Sequence, residues 1–193
     1  WFVSLCRSTR KSKLTVFFGI FLVSMLFIPP SIPHMVPEAE AQEDPGAPYT
    51  ITDDATGGDC QWIGTWNSGT KTCTLSSVDI YCSSTCIIIG SDGITFDGAL
   101  AFMAMDPFQG DDNAYGIDAR FVDNFTIKNA NLMGFGVGIR TGNGENGVII
   151  NSTIKHNSVD GIYSEYDTRL KITNNSIFSN GRNGITLNGG TGD

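Results

Sequence analysis

A small set of side chains in this 193-residue sequence could do chemistry. Asp118, Arg120, Arg140, Tyr163 and Glu165 bring together carboxylates, guanidinium groups and a phenol. An aromatic face stacks on a pyranose ring, an arginine fork pairs with a carboxylate, and acids accept hydrogen bonds from hydroxyls. These types suit a carbohydrate surface, provided the fold places them on one face. The competing expectation is a solvated sheet laced with cross-strand ion pairs. Beyond these, Cys60, Cys73, Cys82 and Cys86 could form disulfides or hold a metal. Met103, Met105 and Met133 are too dispersed to make a copper site with His156, and a lone histidine reads as structural or solvated.

What could position such residues is an internal repeat. Gly-Ile recurs at Gly116-Ile117, Gly138-Ile139, Gly161-Ile162 and Gly184-Ile185, at steps of 22, 23 and 23. Ile127, Ile149 and Ile172 keep the same steps, as do Leu132, Ile154 and Ile177. Each of the first trio is followed two residues later by asparagine, at Asn129, Asn151 and Asn174. Within a unit, short β-prone runs alternate apolar and polar residues between Gly, Asn, Asp and Ser, with no room for a crossover helix. One unit cannot bury its apolar face, whereas units stacked at strand spacing make continuous apolar columns. The expected fold class is all-β: a right-handed parallel β-helix with an N-terminal disulfide hairpin cap, preceded by a signal peptide. Alternation then turns Asp118, Arg140 and Tyr163 outward in one column, with Arg120 and Glu165 in the next. Asn129, Asn151 and Asn174 are expected at a turn, as a ladder of stacked amides.

An earlier unit, Ser91 to Gly98, aligns Phe96 with Ile127 at an offset of 31, so a protruding loop is expected within Phe102 to Asn113. Asn67-Ser68-Gly69 between two β-prone runs predicts a hairpin that sets Cys60 opposite Cys73, leaving Cys82 and Cys86 to pair. The spacings of 13, 9 and 4 lack the paired knuckles of a four-thiolate zinc site. The hairpin is expected to cap the open end of the coil.

The organisation is expected to run as a signal peptide or N-terminal anchor over 1–41, a linker over 42–57, the hairpin and capping region over 58–90, and rungs over 91–193. The leader reading rests on Arg7, Arg10, Lys11 and Lys13, the apolar run Leu14 to Ile28, and Ala39-Glu40-Ala41. It sends the chain to a secreted or cell-surface location, with membrane contact only through that segment if uncleaved. The formal charge is −8, and residues 42–193 hold eight basic and eighteen acidic side chains. That balance argues against nucleic acid as a partner. The repeat breaks off in mid-pattern, so further rungs are expected to follow.

Gly58-Asp59-Cys60, Trp62, Thr70 to Leu75, the stretch Asp92 to Gly98 and the repeated Gly-Ile with Ile-x-Asn resemble secreted, archaeal-type right-handed β-helix proteins. These belong to the broad pectin-lyase-like group, including the periplasmic copper-enzyme maturation β-helix type. The resemblance covers about residues 58–193. It implies the fold, while its members range from polysaccharide lyases, epimerases and glycosidases to adhesins and non-catalytic surface proteins.

Catalysis by analogy needs more than this sequence places on one face. A lyase needs a basic residue beside an acid cluster that holds calcium, and Asp118 with Arg140 is one acid beside one base. Hydrolysis needs two suitably spaced carboxylates, for which Glu165 and Asp167 qualify only by proximity. The Asp-Pro-His-Glu box of alginate epimerases is absent. No cofactor is evident. Calcium is suggested only by the single Gly189-to-Asp193 turn, and no metal site is expected. Of the sequons at Asn124, Asn151 and Asn174, Asn124 is the glycosylation candidate, because a glycan on the other two would break the expected ladder. The reading that results is an exported non-catalytic scaffold that binds a polysaccharide or a cell-surface protein. The alternative is a polysaccharide lyase, epimerase or glycoside hydrolase whose active site lies on further rungs.

Overall fold

The computed structural model describes residues 44–107 and 113–190. The expected leader over 1–41 lies outside the described residues.

Three sheets wind into a coil of about five turns. The first sheet takes Tyr49–Ile51, Ile87–Ile89, Tyr115–Arg120, Val137–Gly142, Asp160–Glu165 and Asn183–Asn188. The second takes Gly64–Asn67, Thr72–Leu75, Thr95–Asp97, Thr126–Lys128, Val148–Ile150 and Lys171–Thr173. The third takes Ile80–Cys82, Phe102–Met105, Asn131–Met133, Thr153–Lys155 and Ser176–Phe178. Successive turns pair in parallel register, and Gly64–Asn67 alone runs antiparallel to its neighbour.

The register turns the sequence columns into a core. Ile87, Ile117, Ile139, Ile162 and Ile185 stack in the first sheet. Cys73, Phe96, Ile127, Ile149 and Ile172 stack in the second. Ile80, Met103, Leu132, Ile154 and Ile177 stack in the third. Ile117, Ile139, Ile149, Ile154 and Ile162 are wholly buried, and each such side chain contributes roughly 1.5–3 kcal/mol. Ile185 faces the same interior, yet stays 43% exposed because no described rung covers it.

Glycine precedes the inward isoleucine because the chain corners tightly there. A Cβ on Gly138 would lie 2.4 Å from Ile154 Cγ2 and 2.7 Å from the Gly161 carbonyl oxygen. The corners between strands use left-handed residues that recur with the repeat, as at Asn124, Asn146 and Arg169. Asparagine tolerates that backbone better than most residues.

Both disulfides form. Cys60 joins Cys73 with Cα atoms 5.8 Å apart, and Cys82 joins Cys86 at 5.4 Å. The hairpin geometry differs from expectation: Trp66 is the residue opposite Cys73. Cys60 sits on a short helical turn, Cys60–Ile63, that buries Cys60 and Ile63. The hairpin closes the edge of the second sheet, as a cap should.

Two expected boundaries move. Residues 42–57 are not wholly linker, because Tyr49–Ile51 is a first-sheet strand with Tyr49 and Ile51 buried. Three residues are too few to show a period. Rungs also begin before residue 91, since Ile80–Cys82 and Ile87–Ile89 already lie in the coil. The loop expected within Phe102 to Asn113 is confined to its later part, because Phe102–Met105 is a third-sheet strand with Met103 fully buried. The extra length falls between Asp106 and Asn113, and 108–112 lie outside the described residues.

Asp97, outward on the second sheet, is bound by Asn129 at 2.9 Å, by the Ala99 N–H at 3.0 Å and by Lys128 at 3.0 Å. Burial raises its carboxyl, but these bonds outweigh burial and leave the pKa lowered. A lowered carboxylate adds stability above the unfolded value of about 4 and loses it as pH falls through the folded value. The stability advantage of the wild type over Asp97→Asn, read by urea unfolding, is therefore expected to shrink from about pH 5 toward pH 2.

Packing gives a second expectation. Gly138→Ala should cost about 1–3 kcal/mol. Gly69→Ala, in the hairpin turn, whose Cβ would meet nothing closer than Asn67 Oδ1 at 3.4 Å, should fall within about 0.5 kcal/mol of the wild type. Equal effects in denaturant melts would refute the corner-packing account.

Candidate functional site

The outer face of the first sheet collects the residues the repeat singles out. Register places Asp118 beside Arg140 and Arg140 beside Tyr163, in three successive turns. The next outward column runs Arg120, Gly142, Glu165 and Asn188. All five candidates therefore share one face.

Their roles separate by contact. Arg120 grips Asp118 in a fork, with Nε to Oδ1 at 2.9 Å and Nη2 to Oδ2 at 2.6 Å, while its own N–H reaches Oδ1 at 3.2 Å. The hydrogen bond with Asp118 is the main cause that raises the Arg120 pKa, against a smaller desolvation effect. Asp118 is only 9% exposed. This pair is a self-satisfied base to the site.

Arg140 is differently placed. Its guanidinium lies between two rings, 5.0 Å from the centre of Tyr115 and 5.6 Å from that of Tyr163. Nη1 donates to the Tyr115 hydroxyl. Nη2 lies 3.9 Å from Glu165, at the limit of an ion pair. Nε is buried without a hydrogen-bond partner among the described residues. The guanidinium is thus oriented by aromatic walls while part of its donor capacity is unused.

A groove of about 260 Å³ opens here, lined among others by Tyr115, Val137, Arg140, Asp160, Tyr163 and Arg182. Asp160 is fully buried, with Oδ1 accepting the Asn183 N–H at 3.0 Å and Oδ2 3.5 Å from Arg182. Tyr115 and Arg182 escape a reading based on strict alternation. Tyr115 stands at the strand start beside Gly116, where the corner breaks the in–out rhythm. Arg182 lies just before a strand, although its offset of 22 from Asp160 follows the repeat.

Asp167, offered beside Glu165 as a catalytic carboxylate, points away from this face. It is 6% exposed and accepts from the Thr141 hydroxyl, from Ser164 Oγ at 2.7 Å and from the Gly144 N–H at 3.0 Å. It ties a corner of the coil together.

The asparagine ladder is displaced from its expected column. Asn129, Asn151 and Asn174 do sit at a turn, with φ of 53°, 54° and 56°. Asn129 bonds Asp97 instead of another asparagine, and Asn151 and Asn174 are exposed. The axial amide bonds belong to Asn157 and Asn180, with Nδ2 to Oδ1 at 2.9 Å, and to Asn175, whose Oδ1 accepts the Ser152 N–H at 2.8 Å. Another runs outside: Asn146 Nδ2 donates to Asn124 Oδ1 at 3.1 Å, and Arg169 Nε to Asn146 Oδ1 at 2.6 Å. Asn124 is exposed but belongs to that ladder, so Asn151 and Asn174 are no worse placed as sequons. The 23-residue step from Asn157 to Asn180 was the available signal. The Ile-x-Asn pattern is the more conspicuous one.

His156 is exposed and edge-on to Phe178 at 6.1 Å. Among the described residues, no three His, Cys, Asp or Glu side chains gather to hold a metal.

A family model described as right handed β-helix region matches residues 62–192. No curated protein and no solved structure matches the chain.

The fork at Asp118 is expected to carry stability. Arg120→Met leaves a nearly buried carboxylate without its cation and should cost about 1–2 kcal/mol at neutral pH in urea unfolding. A cost near zero would mean that solvent already satisfies Asp118.

Proposed function

The chain belongs to the right-handed β-helix family, and from that premise we propose an exported, non-catalytic scaffold that binds an acidic saccharide in the first-sheet groove. The observation that carries this reading is Arg140, held between the rings of Tyr115 and Tyr163 with its side chain 24% exposed. A carboxylate entering the groove would pair with the exposed edge of that guanidinium, and Arg182 supplies a second cation at the same wall. The tyrosine rings offer flat faces to a pyranose. Asp118 is already neutralised by Arg120, so it repels an anion less than a lone acid would.

Export is part of the proposal. Two disulfides in so short a span suit an oxidising compartment. The non-catalytic part rests on what the candidate acids do: Asp118 is forked, Asp167 is tied into a corner, and Glu165 faces Arg140.

The test is calorimetric titration of the protein with oligogalacturonate. Arg140→Ala and Tyr163→Ala should each weaken binding about tenfold. Unchanged affinity in both variants would remove the groove as the site. Release of unsaturated, ultraviolet-absorbing products in the presence of calcium would overturn the non-catalytic reading. Binding of a surface protein but no saccharide would overturn the ligand class.

A further inference from the structure

Beside the groove, at the corner between the first and second sheets, one column of the coil runs Phe121, Asn143, Tyr166 and Gly189. The same bond builds it three times: Phe121 N–H to the Gly142 carbonyl at 2.7 Å, Asn143 to Glu165 at 2.9 Å, and Tyr166 to Asn188 at 2.8 Å. All four residues are left-handed, with φ of 62°, 56°, 57° and 72°. Asparagine and glycine are what this backbone favours, and a bulky aromatic there is an outlier. Phe121 and Tyr166 are also 71% and 56% exposed.

Several left-handed residues elsewhere in the coil have side-chain contacts that offset the strain, although Leu100, at φ of 63°, is also 70% exposed. Arg169 bonds Glu145 and Asn146, and His156 meets Phe178. Tyr166 leans its ring over the backbone of Gly189. No ring contact holds Phe121 among the described residues. Two exposed rings on a disfavoured backbone add little to the fold, and such sites often serve a ligand.

The spacing narrows the ligand. Phe121 and Tyr166 are two turns apart, about 10 Å at the strand spacing of a sheet. Exposed Asn143 stands between them, and the adjacent outward column is polar, with Arg120 and Glu165. A protein partner would want a continuous apolar centre, which is missing here. An extended β-1,4-linked glycan has the matching repeat: alternate pyranose rings present apolar faces in the same direction, two residues apart, with hydroxyls between.

We propose that Phe121 and Tyr166 form a second saccharide surface, distinct from the groove, on which a neutral β-1,4-linked glycan lies along the coil axis. Each ring carries a pyranose two residues from the next, and the Asn143 amide reaches the hydroxyls of the sugar between. The surface needs no cation, and its ligand is uncharged, in contrast to the groove.

Cellohexaose is the probe, titrated into the full chain produced in a host without N-glycosylation. Phe121→Asn and Tyr166→Asn place the residue of Asn143 at both strained corners. Each should weaken binding about tenfold, with the thermal unfolding midpoint unchanged or raised. Arg140→Ala should leave cellohexaose binding intact, so failure of the groove and failure of this surface read out separately. Absence of cellohexaose binding by the wild type overturns the proposal, and so does unchanged affinity in both variants. A lowered midpoint in either variant also overturns it, because the rings would then be structural.

Discussion

Everything in this coil depends on each turn presenting the same hydrogen-bonding edge and the same inward side chains to the next. Backbone N–H and carbonyl groups pair only with neighbouring turns, so a turn that changed length between strands would leave buried polar groups unmatched. The steps of 22 and 23 residues are that constraint written along the chain. They fix the inward columns, such as Ile117 over Ile139 over Ile162, and by alternation they fix what projects outward. Asp118, Arg140 and Tyr163 are adjacent because their inward neighbours are. Extra length is tolerated where it leaves the lattice alone, after Met105 and before the strand at Tyr115.

The corners are the second element of the design. Each repeat must bend between sheets within two to five residues, and a left-handed residue helps do this while keeping its N–H pointed along the axis. Asparagine serves twice. At Asn124 and Asn146 it accepts the backbone geometry and also links turns through its amide. Inside, Asn157 and Asn180 have another task, satisfying backbone groups that the bend removes from the ladders. Corner polar groups thus stay paired although the corners lie partly in the interior.

The core was legible in the sequence because period and alternation are direct consequences of stacking: the three apolar columns and the shared outward face need only counting. Both disulfide pairings were legible too, although Cys60 reaches Cys73 from a helical turn and not from the facing strand of the hairpin. The interior hydrogen bonding was harder to read. Asn129, Asn151 and Asn174 share a conspicuous pattern, but the pattern reports a backbone angle, whereas the axial amides sit at Asn157, Asn175 and Asn180, which have fewer copies. Tyr115 was missed because the tight Gly116 corner interrupts alternation where it lines the groove. Tyr49–Ile51 was missed because its inward role depends on pairing with Ile87–Ile89, a long-range partner no local window contains.

The lattice also bears on binding. Arg140 on a loop would sample many rotamers, and ordering it on a ligand would cost much of what the contact yields. Here Tyr115 and Tyr163 on the flanking turns hold its plane, and Glu165 lies across its outer end. The restraint comes from residues placed by the same register that builds the core, so the site is ordered before any ligand arrives. Under the proposed function, an acidic protein would recognise an anion this way. With eighteen acids against eight basic residues over 42–193, long-range steering works against a polyanion. The proposed affinity would then come from short-range fit at a few preoriented cations, and forking Asp118 onto Arg120 offsets one of the acidic charges on that face.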